Sequence, residues 1–201
     1  APTRAVNAID WQSVSTNING SDIHLRYAGA GATELVNKFD QNESYYNQIA
    51  QNVTTELATV AVQDEIERPD EKRAMVYADW HCNYGMARVL RATTEALDIS
   101  TTFNVGDNTL SGSSFEKICI DVLGYNLRGT DNYVAAGNHD SDQTIDWLKS
   151  DKFNVLNGKM LTVDGMKVLG FTDPNITPFS VGNQLRDPSQ TVSRAVETMT
   201  E

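Results

Sequence analysis

Three short motifs in this sequence contain side chains that commonly bind hard metal ions. Asp79 and His81 lie two positions apart, Asp107 follows a glycine, and Asn138 and His139 follow another glycine. Aspartate supplies a carboxylate oxygen, histidine an imidazole nitrogen and asparagine a carbonyl oxygen, a mixture suited to Mn, Fe or Zn. Two such cations about 3.5 to 4 Å apart can clamp the attacking and leaving oxygens of a phosphoryl displacement and acidify a bound water. The motifs therefore indicate hydrolysis of a phosphate ester.

Each motif follows a short apolar run that is typical of a β-strand. The runs cover residues 74–78, 101–105 and 133–136, and the segments between them show helical periodicity. Strands that alternate with helices form a parallel sheet, and such sheets bind ligands at the carboxyl ends of their strands. The sequence thus predicts an α/β fold with a β-α-β-α-β core and all three motifs at one edge of the sheet.

The ordered set Asp-x-His, Gly-Asp and Gly-Asn-His-Asp resembles the calcineurin-like metallophosphoesterase superfamily. The resemblance covers roughly residues 73–174. It implies half of an α/β/β/α sandwich, with two divalent or trivalent metal ions (Mn, Fe or Zn) as cofactors. The substrate it implies is a phosphorylated small molecule or a phosphodiester. The predicted function is therefore a metal-dependent phosphoesterase that hydrolyses a phosphomonoester or phosphodiester by means of a metal-activated water.

The resemblance also assigns a role to each candidate residue. Asp79 and His81 match ligands of one metal, and Asp107 matches the carboxylate that bridges both metals. Asn138 matches a ligand of the second metal. His139 matches the catalytic histidine beside the scissile phosphate, where an imidazole can protonate the leaving oxygen or stabilise charge on the phosphoryl group.

Two departures from the family's pattern affect these assignments. Relatives with Gly-Asp-x-x-Asp use the second aspartate to orient the histidine, but the matching position here is Leu110. An orienting partner must therefore come from elsewhere. The family's later motifs, a lone metal-binding histidine and Gly-His-x-His, have no counterpart, because the third histidine, His24, lies far upstream. We therefore expect that the chain is part of a longer protein and binds at most one divalent ion by itself.

Each candidate residue also has an ordinary structural explanation. An aspartate can cap a helix, an asparagine can accommodate a left-handed turn, and a histidine can be a hydrogen-bonded residue beneath a loop. Taken together, the order, the residue types and the strand-end placement favour descent from a metallophosphoesterase. The alternative function is a noncatalytic ligand-binding or structural ectodomain that retains a phosphoesterase fold.

The composition limits the class of partner. The chain has 201 residues, of which 40% are hydrophobic, enough for one domain plus an extension. Its formal charge of −11 and the absence of a basic patch predict no nucleic-acid footprint. No apolar run approaches the length of a membrane span, so a membrane tether would lie outside this chain. The location stays open between an extracytoplasmic domain of a bacterial membrane protein and the cytoplasm.

The sequence before the first motif predicts an N-terminal accessory segment, residues 1–70. It contains a β-hairpin with Asn19-Gly20 as its turn, a long amphipathic helix with an apolar stripe over residues 35–60, and a charged linker over residues 63–73. Residues 71–201 then form the metallophosphoesterase core, which we expect to be truncated at its C-terminus.

Three smaller patterns in the core lead to further predictions. Ser113 and Glu116 have the spacing of a capping box, and Asp164-Gly165 is typical of a tight hairpin turn. Cys82 and Cys119 are too few for a disulfide framework. Two free thiols are therefore favoured over a disulfide.

Overall fold

The computed structural model describes residues 11–18, 21–28, 45–59, 71–177, 184–185 and 197. The chain divides into two compact units, Ala1–Ser44 and Tyr45–Glu201. In the first unit, β1 (Trp11–Ile18) and β2 (Ser21–Ala28) pair antiparallel. The predicted hairpin strands are thus confirmed, while the Asn19-Gly20 turn lies outside the described residues.

The second unit is built on a four-stranded parallel sheet. Its strands, in spatial order, are β3 (Ala74–Tyr77), β4 (Thr101–Asn104), β5 (Asp131–Val134) and β6 (Asn154–Val155). The predicted α/β class is therefore confirmed. The sequence placed the third strand at residues 133–136, but β5 begins at Asp131, which pairs with Thr101. The early start is possible because the Asn132 side chain is buried and accepts a hydrogen bond from Thr102 Oγ1 at 2.7 Å.

One helix precedes these strands, and three others connect them and pack on one face of the sheet. They are α1 (residues 45–59), α2 (Tyr84–Ala96), α3 (Lys117–Asn126), which follows a 3₁₀ turn over Ser114–Glu116, and α4 (Asp142–Ser150). Polar side chains start two of them, because Asn83 Oδ1 accepts from Met86 N and Ser141 Oγ accepts from Thr144 N.

The core lies between the sheet and α2, α3 and α4. Strand β3 shows why one face is buried, since Met75 and Tyr77 pack with the helices while Val76, between them, is 65% exposed. From the helices, α2 contributes Leu90 and α3 contributes Leu123. This packing fixes β3, β4 and β5, and hence the loops at their carboxyl ends.

Two short antiparallel ladders follow the parallel sheet. One pairs β7 (Leu161–Val163) with β8 (Met166–Val168), and the other pairs β9 (Asn175–Ile176) with β10 (Gln184–Leu185). Asp164 and Gly165 have φ values of 50° and 84° between β7 and β8. The predicted tight hairpin turn is therefore confirmed.

Cys82 and Cys119 form a disulfide, with their Cα atoms 5.0 Å apart. The prediction of two free thiols is therefore wrong. Cys82 follows β3 and its first motif, whereas Cys119 lies on the buried side of α3. Packing of α2, which begins two residues after Cys82, against α3 brings them together, and no local pattern in the sequence indicates that contact.

The predicted boundary near residue 70 stays a prediction, because residues 60–70 lie outside the described part of the chain. The helical residues 45–59 group with the second unit. There Tyr46 Oη accepts a hydrogen bond from Asn83 Nδ2 at 2.8 Å. Within the described residues, no helix has the length and apolar character needed to cross a bilayer.

Candidate metal centre

Three of the predicted ligands converge at the carboxyl edge of the sheet. Asp79, His81 and Asp107 each offer one ligand atom, and these atoms all lie within 4.8 Å of one another. His81 Nε2 is 3.7 Å from Asp79 Oδ1. Two carboxylates this close repel each other in water, and a shared cation removes that repulsion. The three side chains therefore have the composition and spacing of a metal-binding cluster.

Backbone hydrogen bonds between the two strand ends bring this cluster together. Beyond the last residues of β3 and β4, Asp79 N donates to Gly106 O at 3.1 Å, and His81 N donates to Asp107 O at 3.1 Å. Asp79, His81 and Asp107 all have positive φ, of 51°, 41° and 59°. This left-handed backbone turns the ligand side chains out of the strand direction, a conformation that costs non-glycine residues of order 1–3 kcal/mol.

A hydrogen bond made by His81 Nδ1 determines that Nε2 is the nitrogen that faces the cluster. This Nδ1 lies 2.9 Å from Thr109 O. A carbonyl oxygen only accepts hydrogen bonds, so Nδ1 carries the proton and the Nε2 lone pair is directed toward the candidate metal position. Metal-binding histidines are commonly oriented in this way by a backbone carbonyl.

Close packing of two glycines places Asp107 against the third motif. A Cβ added to Gly137 would lie 2.2 Å from Asp107 Oδ1, and one added to Gly106 would lie 2.6 Å from Gly137 N. With no side chain in the way, His139 N donates to Asp107 Oδ1 at 3.0 Å. The glycines of the second and third motifs are therefore required, because the two backbones approach too closely for a side chain.

The fourth predicted ligand, Asn138, is held by a residue beyond the motifs. Its Nδ2 donates to Thr177 Oγ1 at 2.7 Å, and Thr177 N donates to Asn138 O at 2.7 Å. Because the amide nitrogen is engaged with Thr177, the amide oxygen is directed away from it and is the donor atom that a cation could use. Asn138 lies in the same turn as Gly137, which packs on Asp107.

The predicted catalytic histidine lies beside the cluster. The rings of His139 and His81 meet edge to face, with centroids 4.9 Å apart. His139 Nδ1 lies 2.7 Å from Leu110 O. The orienting group that the sequence did not supply as a carboxylate is therefore the backbone carbonyl of Leu110 itself.

A buried carboxylate, Asp140, joins the second and third motifs. Its Oδ1 accepts from Asn108 N at 2.8 Å and Thr109 N at 3.1 Å, and its Oδ2 accepts from Gly137 N at 3.0 Å. Burial raises the pKa of Asp140, while hydrogen bonds from Asn108, Gly137 and Thr109 partly lower it. Every one of these partners is a donor, as a carboxylate requires. Asp140 thus braces the loops that carry Asp107 and His139.

The bracing groups were missed from the sequence for different reasons. Asp140 belongs to the third motif, so its presence was visible although its role was not. Thr109 and Leu110 act through backbone carbonyls, which every residue possesses. Thr177 lies 39 positions beyond Asn138, and nothing in its neighbourhood marks it as a partner.

Comparisons of the chain with protein-family models, curated proteins and solved structures found no match. The resemblance to metallophosphoesterases therefore rests on the motifs alone. The cluster can bind a hard divalent cation through the carboxylates of Asp79 and Asp107 and the imidazole of His81. The imidazole of His139 lies beside that of His81.

Proposed function

We propose that this protein is a metal-dependent phosphoesterase that hydrolyses a phosphomonoester or a phosphodiester. The observation that carries the proposal is the convergence of Asp79, His81 and Asp107 within 4.8 Å, with His139 against His81. The strand and helix order around these residues agrees with the resemblance to calcineurin-like metallophosphoesterases, and this agreement supports the same function.

The donor set fits a cation of the Mn, Fe or Zn type. When bound, such a cation supplies a Lewis acid and lowers the pKa of a coordinated water. Asp79 and Asp107 provide the negative charge that holds it, and His81 provides a nitrogen whose direction is fixed by Thr109. The Asp79 side chain is 70% exposed, so a phosphate ester can reach this edge of the sheet from solvent.

His139 is the group of the chain placed to handle the leaving oxygen. Its Nδ1 is engaged with Leu110 O, so Nε2 is the nitrogen that remains for a substrate. A protonated imidazole there can donate to the leaving oxygen, and a hydrogen bond to a phosphoryl oxygen would stabilise developing charge. The resemblance assigns the same role to this histidine.

The described residues offer an unequal pair of metal positions. The first has three ligands, Asp79, His81 and Asp107, which is the usual minimum for a catalytic metal. The second has Asp107 and the amide oxygen of Asn138. We therefore expect one firmly bound divalent ion per chain from these residues.

An assay on chelator-treated protein tests the proposal. Mn²⁺ is added back, and turnover of p-nitrophenyl phosphate and bis(p-nitrophenyl) phosphate is measured beside calorimetric titration of Mn²⁺. We expect Mn²⁺-dependent turnover of at least one ester, lost in D107N. Mn²⁺ binding without turnover of either ester would favour the noncatalytic ligand-binding module. Absence of both binding and turnover would refute a metal site here.

A further inference from the structure

The orientation of His139 depends on the position of a single residue, Leu110. His139 Nδ1 lies 2.7 Å from Leu110 O, and a carbonyl can only accept, so the proton is on Nδ1. The Leu110 side chain is 49% exposed and does not anchor the loop. Another group must therefore fix the Leu110 backbone if its carbonyl is to orient the imidazole of His139.

Glu116 holds that backbone. Its Oε1 accepts a hydrogen bond from Leu110 N at 2.5 Å. Its Oε2 accepts from Ser113 N at 2.7 Å and from Ser111 Oγ at 3.0 Å. The side chain is 2% exposed, and hydrogen bonds to an ionised acceptor in such a dry environment are strong. A buried carboxylate thus fixes the loop between Asp107 and α3.

Helix capping accounts for only one of the two oxygens of Glu116. The bond from Ser113 N to Oε2 spans three residues and is the usual capping-box contact at the start of a helix. The bond from Leu110 N to Oε1 spans six residues and reaches into the loop after β4. A cap needs no such contact. The second oxygen therefore has a separate effect, which is to set the position of Leu110.

We propose that Glu116 is a positioning residue for His139 and acts through the backbone of Leu110. The N–H and the C=O of Leu110 belong to different peptide units, so Glu116 acts on the position of the carbonyl and transfers no charge to the imidazole. The catalytic consequence rests on the proposed phosphoesterase function, whereas the orientation of His139 does not.

The first test is kinetic and uses the isosteric variant E116Q. Glutamine replaces one acceptor oxygen by an NH₂ donor, so either Leu110 N or Ser113 N loses its partner. We expect kcat for phenyl phosphate to fall by roughly 10- to 100-fold, the range seen when a group that orients a functional side chain is removed. Mn²⁺ affinity and KM should stay within about threefold of wild type, because no ligand is touched.

A double-mutant cycle separates positioning from general weakening of the fold. If Glu116 acts through His139, E116Q/H139A is as slow as H139A alone, whereas independent roles give losses that multiply. The control is N132A, which removes a buried side chain with several hydrogen bonds at the other end of the sheet. Its kcat effect should be small and should multiply with that of H139A. Multiplicative losses for E116Q would overturn the proposal.

The second test does not depend on activity. Nitrogen NMR of the metal-free protein reports the imidazole tautomers, and the His139 signals are assigned by their loss in H139A. We expect His139 to be the Nδ1–H tautomer in wild type and in N132A, and a mixture of tautomers in E116Q. If wild type hydrolyses no ester, the proposed function fails while this measurement still decides the positioning role. An unchanged His139 tautomer in E116Q would overturn the positioning role.

E116D, which keeps the carboxyl group but shortens the side chain, replaces E116Q in both tests if E116Q does not fold.

Discussion

Among the described residues, and apart from Asp164 in the β7–β8 turn, non-glycine residues with positive φ follow either a helix or a strand of the parallel sheet, and only those after a helix have a local explanation. Asp98 and Lys152, with φ of 50° and 67°, lie just past the ends of α2 and α4. A left-handed residue there commonly ends a helix. Asp79, His81 and Asp107, with φ of 51°, 41° and 59°, follow strands instead. No helix ends at these positions, so local chain termination does not account for them.

The difference indicates where backbone strain in this fold is associated with a candidate functional site. Left-handed backbone at a non-glycine residue persists only where the surroundings determine it strongly. At the carboxyl edge of the sheet those surroundings are the backbone bonds between the two strand ends and the buried Asp140. Four non-glycine residues at this edge have positive φ. Three of them, Asp79, His81 and Asp107, are the residues whose ligand atoms converge, and the fourth, Cys82, is in the disulfide. At the carboxyl edge of the sheet, strained backbone therefore occurs at candidate metal ligands. At Asp98 and Lys152 it does not.

The largest expected effect comes from breaking the disulfide that ties the strained edge to α3. Cys82, itself at φ 57°, is bonded to Cys119 across a separation of 37 residues. The chain-entropy relation for that loop predicts that C82S/C119S lowers the free energy of unfolding by about 4 kcal/mol. Urea denaturation with and without reductant measures it. Reductant should not affect the double variant, and equal midpoints for oxidised and reduced wild type would contradict the prediction.

A matched pair of aspartates tests the comparison directly. D107N and D98N both keep a residue that tolerates left-handed backbone, but only Asp107 belongs to the cluster. We expect D107N to weaken Mn²⁺ binding by at least about 100-fold, beyond the 10- to 100-fold typical of groups that merely orient a ligand. D98N should leave the affinity unchanged. Titration calorimetry decides, and equal weakening in both variants would show that the loss of affinity does not come from the carboxylate of Asp107 as a ligand.

A pair of glycines gives a smaller loss of stability than the disulfide does. In G137A the new Cβ would lie 2.2 Å from Asp107 Oδ1 and 2.5 Å from Asp107 N, whereas Gly129 has open space around it. We expect G137A to lower stability by about 3 kcal/mol, the upper end for overpacking, since a backbone atom must move. G129A should cost about 1 kcal/mol through its positive φ alone. Only G137A should also weaken Mn²⁺ binding, and normal affinity in G137A would contradict the close-approach argument.

The features that could be predicted from sequence are those that depend on residues close together in the chain. Apolar runs separated by periodic segments indicated the parallel sheet, and polar motifs directly after those runs indicated that Asp79, His81 and Asp107 would meet. The Asp164-Gly165 turn was likewise readable, because its backbone requirement is met by the two residues themselves.

The features that could not be predicted depend on distant or generic groups. The Cys82–Cys119 bond forms because α2 packs against α3, a contact without a sequence signature. The partner of His139 is a backbone carbonyl, and composition cannot distinguish one carbonyl from another. The capping spacing of Glu116 was visible in the sequence, but its second contact, to Leu110, exists only in the folded loop.

The smallest expected effect concerns a fourth left-handed aspartate, Asp164, whose role is electrostatic. Asp164 accepts hydrogen bonds from Lys72 Nζ at 2.5 Å and Thr101 Oγ1 at 2.8 Å, and the bond from Lys72 is the main reason that its pKa lies below the usual 3.8. A carboxyl with a lowered folded-state pKa stabilises the fold above its unfolded-state pKa, and this contribution is lost as pH falls through the folded-state value. D164N keeps the favourable Asn-Gly turn but cannot ionise. We therefore expect D164N to be less stable than wild type at pH 7 and the gap to close below about pH 4, with Mn²⁺ affinity unchanged. Thermal unfolding across pH measures the gap, and a gap that stays constant down to acid pH would mean that turn geometry, rather than the charge of Asp164, provides the stabilisation.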